Sequence, residues 1–286
     1  MKVLICGHRS FAATGLSDVL RGRGHEVDCF SRGAMKREGN VVTGDVFAMR
    51  DNPFLTDRYD IVINFILIKD QDVAVNLNYI QELLAFCVQK KIKRLVQISS
   101  ISVYPNDAVL VDEETVIESR ENFKGPYAAL KVAVDHFLLD AHAPFDISFV
   151  RPGYIVDGKG LRSFAGIVLK LPLGIGILMG SKQTPLPLLE RQTFHAALAA
   201  VVEAQDSVPV YLMFSNKGET KYGLAKLFFP GRLIIVPERL VKGLANIAAR
   251  LCLLSRTRQQ QIVGLFKTSR FDSHRTANLL KVDFDL

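Results

Sequence analysis

The chain has 286 residues, of which 49% are apolar and 23% charged, and a net charge of +7. That balance supports a packed core and argues against global disorder, while the length suits one large α/β domain or a dinucleotide fold with a smaller appendage. Cys6, Cys29, Cys87 and Cys252 stand far apart with no C-x-x-C pair; this speaks against a disulfide framework or a zinc site and for reduced, buried thiols.

Lys2-Val3-Leu4-Ile5-Cys6 is an apolar strand run with no basic leader and no cleavage-site pattern, so a cytoplasmic protein is expected. Gly7-His8-Arg9-Ser10-Phe11-Ala12-Ala13 follows it, and the spacing predicts a helix over residues 11–22 with Leu16, Val19 and Leu20 on one face. A turn between strand and helix is the setting of a dinucleotide-binding loop. There the first glycine makes the tight turn, the second allows close backbone approach and the third allows helix–sheet contact. Gly7 keeps the first place, whereas Ser10 and Ala13 take the second and third. Alone, this loop reads equally well as an ordinary β–α turn.

The second strand, residues 25–30, runs into Ser31-Arg32. A NAD enzyme carries an acidic residue there for the ribose 2′-hydroxyl. A small residue beside a guanidinium instead suits a 2′-phosphate, with Arg9 placed to approach the same group. The plainer reading is two surface arginines. NADP is expected in preference to NAD.

Another strand is predicted over residues 60–65, a helix over 72–90 and a buried strand over 94–98. That last strand leads into Ser99-Ser100-Ile101-Ser102-Val103-Tyr104. A helix over residues 127–141 opens on Tyr127-Ala128-Ala129-Leu130-Lys131. Residues at i and i+4 share a helix face, so the lysine cation is expected to favour the phenolate and draw the tyrosine pKa below its usual value of about 10. A strand over residues 145–150 ends at Arg151-Pro152-Gly153, the end at which open α/β sheets bind ligands. This alternation predicts a Rossmann-type doubly wound parallel sheet over residues 1–155.

Beyond residue 155 the alternation decays. The most apolar stretch, residues 164–179, is broken by Lys170, Pro172 and three glycines. It falls short of the roughly 20 apolar residues that span a bilayer, and an interior helix followed by a loop is expected. A helix over 193–204 and a strand over 208–214 follow, so residues 185–215 are expected to return to the first domain. Helices are predicted over 238–254 and 259–266, with a short one from about 273 capped by Asp272 or Ser273. Residues 156–286 thus form a smaller, mostly helical substrate-side region. His136, His142 and His195 lack metal-ligand spacing, and no metal is expected. The last 66 residues carry a charge of +8, leaving −1 for the first 220. A basic segment of this kind meets a substrate diphosphate or an anionic membrane surface, or is a solvated face; no nucleic-acid partner is expected.

In order and spacing, the chain resembles the extended short-chain dehydrogenase/reductases, the NAD(P)-dependent nucleotide-sugar epimerase and reductase group. The residues that carry the likeness are the glycine loop, Gly44-Asp45, Ser99 to Tyr104, Tyr127/Lys131 and Arg151–Gly153. It covers residues 1 to about 160 well and the rest loosely. The resemblance implies Ser100, Tyr127 and Lys131 as catalytic residues. It places the cofactor on Gly7, Arg9, Ser10, Phe11, Ser31, Arg32, Asp45, Val46 and Lys131, and substrate near Asn76, Ser102 and Tyr154. The Gly7-His8-Arg9 opening also resembles the GDP-fucose synthases, whose loop arginine faces NADP.

Two departures carry information. Sugar 4,6-dehydratases of this family have Asp-Glu directly after the catalytic hydroxyl, where this chain has Ile101 and Ser102, so dehydration is not expected. Tyr154 stands where asparagine usually follows Arg-Pro-Gly. The expectation is an oxidoreductase or isomerase: an NADP-dependent reductase or epimerase of a nucleotide-linked sugar, with a homodimer compatible. The short substrate region favours a 4-ketosugar reductase over a 4-epimerase. Other readings are a non-catalytic dinucleotide-binding regulator or assembly subunit, and a membrane-surface reductase of a lipid-linked or small ketone substrate.

Overall fold

Three strands at the centre of the molecule, β1 (Lys2–Cys6), β5 (Ile61–Asn64) and β6 (Arg94–Ile98), are buried almost continuously rather than on alternate residues. A parallel sheet covered by helices on both faces demands this pattern. The structure, a computed structural model, describes residues 1–55, 58–68, 72–119, 125–157, 168–179, 181–237, 239–241, 243, 247 and 269–285.

The remaining strands of the main sheet are β2 (Glu26–Arg32), β3 (Lys36–Glu38), β4 (Val41–Gly44), β8 (Asp146–Pro152) and β13 (Val210–Met213). Their order is β13-β8-β6-β5-β1-β2-β4-β3, eight strands, with only β3 antiparallel to its neighbour. The chain moves outward from β1 to β2 and β4, then returns to β5 on the other side of β1. The carboxyl ends of β1 and β5 therefore flank the switch point where such sheets bind ligands.

Alternate residues of β1 feed two cores. Val3 and Ile5 pack with α1 (Leu16–Gly22), α4 (Arg191–Glu203) and α6 (His274–Leu280) through Leu20, Phe194, Leu198 and Leu280. Leu4 and Cys6 pack on the opposite face with α2 (Val73–Lys90) and α3 (Pro126–Leu139) through Tyr79, Leu83, Val134 and Leu138. Asp72 caps α2, its carboxylate accepting from the Val75 N–H at 3.0 Å. Gly125 at φ 108° and Pro126 start α3 abruptly, fixing Tyr127 in its first turn.

The structure differs from the expected elements in two places. The first helix begins at Leu16 rather than near residue 11, because hydrogen-bonded turns occupy residues 7–15 and Gly15 is left-handed at φ 96°. The apolar stretch around 164–179 is not a helix where it is described. β10 (Val168–Leu171) and β11 (Ile175–Met179) form an antiparallel hairpin, with Leu173 at φ 63° and Gly174 at φ 68° in the turn. Pro172 cannot sit inside a helix without cost, and the β-branched residues either side favour strands.

β14 (Arg232–Val236) extends this hairpin in parallel with β11, and β9 (Tyr154–Val156) pairs with β12 (Leu188–Glu190). Near the C-terminus, β15 (Arg270–Phe271) pairs with β7 (Leu110–Val111), and Thr276 of α6 accepts from the Leu212 N–H of β13 at 3.0 Å. At the start of α6 it is the Asp272 side chain that takes the His274 N–H, at 2.9 Å. The helices expected over 238–254 and 259–266 fall largely or wholly outside the described residues. Among the described residues no helix is long and apolar enough to cross a membrane.

Candidate active site

The carboxyl ends of β1, β5, β6 and β8 open into a cleft of about 770 Å³. Its far wall comes from β9, the segment around Thr184–Pro187 and the start of α5 (Lys221–Phe228). Of the expected site residues, Ser10, Phe11, Ser100, Ser102, Tyr127, Lys131 and Tyr154 all line this one cleft. Residues from four separate stretches of sequence are thereby brought together.

Ser100 follows β6 and starts a short 3-10 turn (Ile101–Val103), where its hydroxyl accepts from the Ser102 N–H at 3.1 Å. The Tyr127 hydroxyl is hydrogen-bonded to the Ser100 side chain. The tyrosine ring is half exposed, lying across the cleft mouth. Lys131, one turn further along α3, is only 5% exposed and donates to the Ile98 carbonyl at 2.7 Å.

This corrects the expectation for the phenol. Its pKa is raised, chiefly by burial and further by Asp135 and Tyr154, and the Ser100 hydrogen bond only partly offsets this. Lys131 does not draw it down; its ammonium is directed at the β6 backbone, and burial brings its own pKa down to about 8 against the pull of Asp135. At neutral pH Tyr127 is therefore a protonated donor.

The cofactor edge lies along β1, β2 and β4. Gly7 is left-handed at φ 83°, and a β-carbon there would come within 3.0 Å of Ile66, so this backbone needs glycine. Ser31, next to last in β2, is 6% exposed, and its Oγ has no hydrogen-bond partner among the described residues. A buried orphan hydroxyl at the carboxyl end of β2 fits a cofactor ribose or its phosphate. Arg32 and Arg9 are exposed beside it, and Arg9 is near enough to Glu38 to contribute to that carboxyl's lowered pKa, behind the larger effect of Lys36. Asp45 is exposed, but Val46 is packed into the core with Leu4 and Phe30. Helix α4 braces the glycine loop: Arg191 stacks 4.8 Å from the Phe11 ring centre, and His195 Nε2 lies 2.8 Å from the Ala12 carbonyl oxygen.

Asn76 is a correction. It is 1% exposed and does not line the cleft. Its Oδ1 accepts from the Ile68 N–H at 2.9 Å, and its amide donates to the Ile68 and Asp72 carbonyls at 3.1 Å each. Both amide hydrogens are committed, so Asn76 fastens the loop after β5 instead of meeting substrate.

Sequence reasoning missed Lys221, which lines the far wall with its pKa lowered by burial. Only the return of the chain after β13 brings it there. It also missed the buried cluster behind Lys131. Asp135, fully buried, accepts through Oδ2 from Ser99 Oγ at 2.8 Å and from Arg151 Nε at 3.2 Å, with Arg151 Nη2 in ion-pair contact at 3.1 Å. Arg151 also donates to the Tyr104 hydroxyl at 2.9 Å. The sequence offered one signal, the acid four residues after Lys131 on the same helix face. Gly153 links this cluster to the far wall; a β-carbon there would fall on the Pro187 carbonyl oxygen.

The model of the NAD dependent epimerase/dehydratase family matches residues 3–153. A search of curated proteins gives no match. Solved structures match over nearly the whole chain. MoeE5 in complex with UDP-glucuronic acid and NAD has a TM-score of 0.69 at 16% identity, covering 100% of this chain and 94% of that one. UDP-N-acetylglucosamine 4-epimerase from Bacillus cereus has a TM-score of 0.66 at 13% identity, with coverages of 100% and 94%. The human epimerase family protein SDR39U1 with NADPH has a TM-score of 0.66 at 18% identity, with coverages of 98% and 93%. These likenesses concern the fold. The family match extends over more than half of the chain and ends at Gly153, just past the Arg-Pro end of β8, so this protein belongs to the NAD dependent epimerase/dehydratase family and is an enzyme of the short-chain dehydrogenase/reductase type.

Proposed function

We propose that this enzyme reduces or epimerises a carbonyl or hydroxyl carbon of a nucleotide-linked sugar, with NADP as its preferred cofactor. The observation that carries the reading is the Tyr127 hydroxyl bonded to Ser100 at the mouth of the cleft, with Lys131 one helical turn behind. A protonated phenol donates its proton to a substrate carbonyl oxygen, and Ser100 hydrogen-bonds the same oxygen. The nicotinamide cofactor, when bound, supplies or accepts the hydride. Gly7, Arg9, Ser10, Ser31 and Arg32 are the residues that would hold it, Arg9 and Arg32 on the 2′-phosphate. Ser102 and Tyr154 line the substrate side. A phenol kept protonated favours the reductive direction over oxidation of an alcohol.

Dehydration does not suit this cleft. Ile101 and Ser102 occupy the 3-10 turn beside Ser100, and no Asp or Glu is among the described residues lining the cleft. A wall free of carboxylates, with Lys221 across from Tyr127, instead favours an anionic substrate. Nucleotide-sugar complexes of similarly folded proteins, UDP-glucuronic acid on MoeE5 among them, support the same class.

Two measurements test this. NADP(H) is expected to bind at least tenfold more tightly than NAD(H), about 1.4 kcal/mol, and Arg32→Ala to erase most of the difference; equal affinities in the wild type would count against the phosphate site. Lys221→Ala is expected to raise KM for a nucleotide diphosphate sugar by about tenfold or more with kcat nearly unchanged, as for a charged hydrogen bond equal in ground and transition states. An unchanged KM removes Lys221 from the substrate site. A wild type that binds NADP(H) yet turns over no sugar, ketone or alcohol would favour a regulator.

A further inference from the structure

Behind the cleft wall lies a charge cluster that no step above uses. Asp135 is one turn beyond Lys131 on α3, fully buried, and its Oδ2 takes hydrogen bonds from Ser99 after β6 and from Arg151 in β8, with a second Arg151 nitrogen in ion-pair contact. Its Oδ1 has no hydrogen-bond partner among the described residues. Arg151 is fixed in turn, with its guanidinium 5.1 Å from the Tyr104 ring centre and 5.3 Å from that of Phe149. Burial raises the Asp135 pKa, and the Arg151 guanidinium, which cannot lose its proton in a protein, leads the groups that oppose this, with Ser99 and Lys131 behind it.

We propose that Asp135 is a positioning residue for the Tyr127–Lys131 pair: locked by Ser99 and Arg151, its carboxylate is the counter-charge that holds the Lys131 ammonium against the Ile98 carbonyl and keeps it protonated behind the phenol. The proposal rests on the catalytic reading above.

The titratable and charged groups around Lys131 are Asp135 and Tyr127 on its own helix, Arg151 on β8, Tyr104 after the 3-10 turn, and Tyr154 and Lys221 across the cleft. Of these, Asp135 alone acts on Lys131, opposing the burial that brings its pKa down to about 8. A nearby opposite charge is worth about 1 to 3 pKa units, and Asp135 sits one helical turn from Lys131 on the same face. Without it, the Lys131 pKa is expected to fall further below its usual value. The sign follows: activity that needs the ammonium is lost as pH rises through the lysine pKa, so removing Asp135 moves that loss to lower pH.

The test is pH-dependent acetylation of Lys131 by acetic anhydride, read by mass spectrometry on the full-length protein, beside the pH profile of kcat. Asp135→Asn is expected to lower the labelling midpoint by about 1 unit or more, with the alkaline limb of kcat moving alongside. Asp135→Glu is expected to restore much of both. An unchanged midpoint in folded Asp135→Asn, even with a lowered melting temperature, overturns the proposal and leaves Asp135 a packing element. Should Asp135→Asn not fold, Ser99→Ala removes one of the two hydrogen bonds described on the carboxylate. A lower midpoint there supports the proposal, and one equal to wild type overturns it. Labelling reads the lysine charge whether or not Lys131 takes part in turnover. A shifted midpoint with an unshifted kcat profile would therefore keep Asp135 in its role and count against the catalytic reading.

Discussion

Tyr127→Phe is expected to cut turnover by roughly 100- to 10,000-fold, the range for loss of a positioned acid or base, while NADP(H) affinity stays within about twofold. The change removes only the hydroxyl and leaves the ring across the cleft mouth, so packing is conserved. Ser100→Ala is expected to slow turnover as well, again without touching cofactor binding, because the Ser100 hydroxyl contacts the phenol and not the edge along β2. The pH profile gives a second readout. Burial keeps the Tyr127 pKa above its usual range, so the phenol stays a donor across neutral pH in the reductive direction. The first alkaline limb then belongs to Lys131, whose ammonium is lost as pH rises through about 8. Stopped-flow or steady-state rates on a ketosugar measure both effects. A Tyr127→Phe enzyme with wild-type turnover would sink the mechanism.

Local patterns pointed to the residues proposed as catalytic, which the structure brings to one cleft. Tyr127 and Lys131 are one helical turn apart, Ser100 follows a buried strand, and each pattern is complete within a few residues. The same holds for the alternating elements of the first half, where periodicity and strand burial agree with the sheet. What sequence could not supply depends on chain segments meeting in space. Lys221 reaches the cleft only because β13 returns to the edge of the sheet and α5 follows it. Asn76 suggested a substrate contact, but its amide is used up by the loop after β5, which no spacing rule indicates. Apolar content alone could not separate a helix from the hairpin that residues 168–179 form; Pro172 and the left-handed Leu173 decide it. The lowered phenol pKa also failed as an expectation. Sharing a helix face did not direct the Lys131 ammonium at the phenol once the Ile98 carbonyl lay 2.7 Å away.

Arg151→Met is expected to cost about 3–5 kcal/mol of folding stability, the range for stranding one member of a buried ion pair. The reason lies in what remains. Arg151 is 3% exposed and Asp135 fully buried, so water cannot replace the lost guanidinium, and its hydrogen bond and its ion-pair contact on Oδ2 vanish together. Tyr104 loses its donor in the same step. The carboxylate must then take up a proton or remain charged in an apolar wall, and either costs free energy. Methionine keeps much of the volume, so a cavity is a minor part of the loss. Adding Asp135→Asn to Arg151→Met removes the stranded charge and is expected to recover most of the stability, since buried ion pairs replaced as a unit are often close to neutral. Urea unfolding of the two single variants and the double variant measures this directly, with non-additivity as the signature of coupling. Should Arg151→Met lie within about 1 kcal/mol of wild type, the pair would behave like a surface salt bridge. Asp135 would then lack the rigid support that its hold on Lys131 requires.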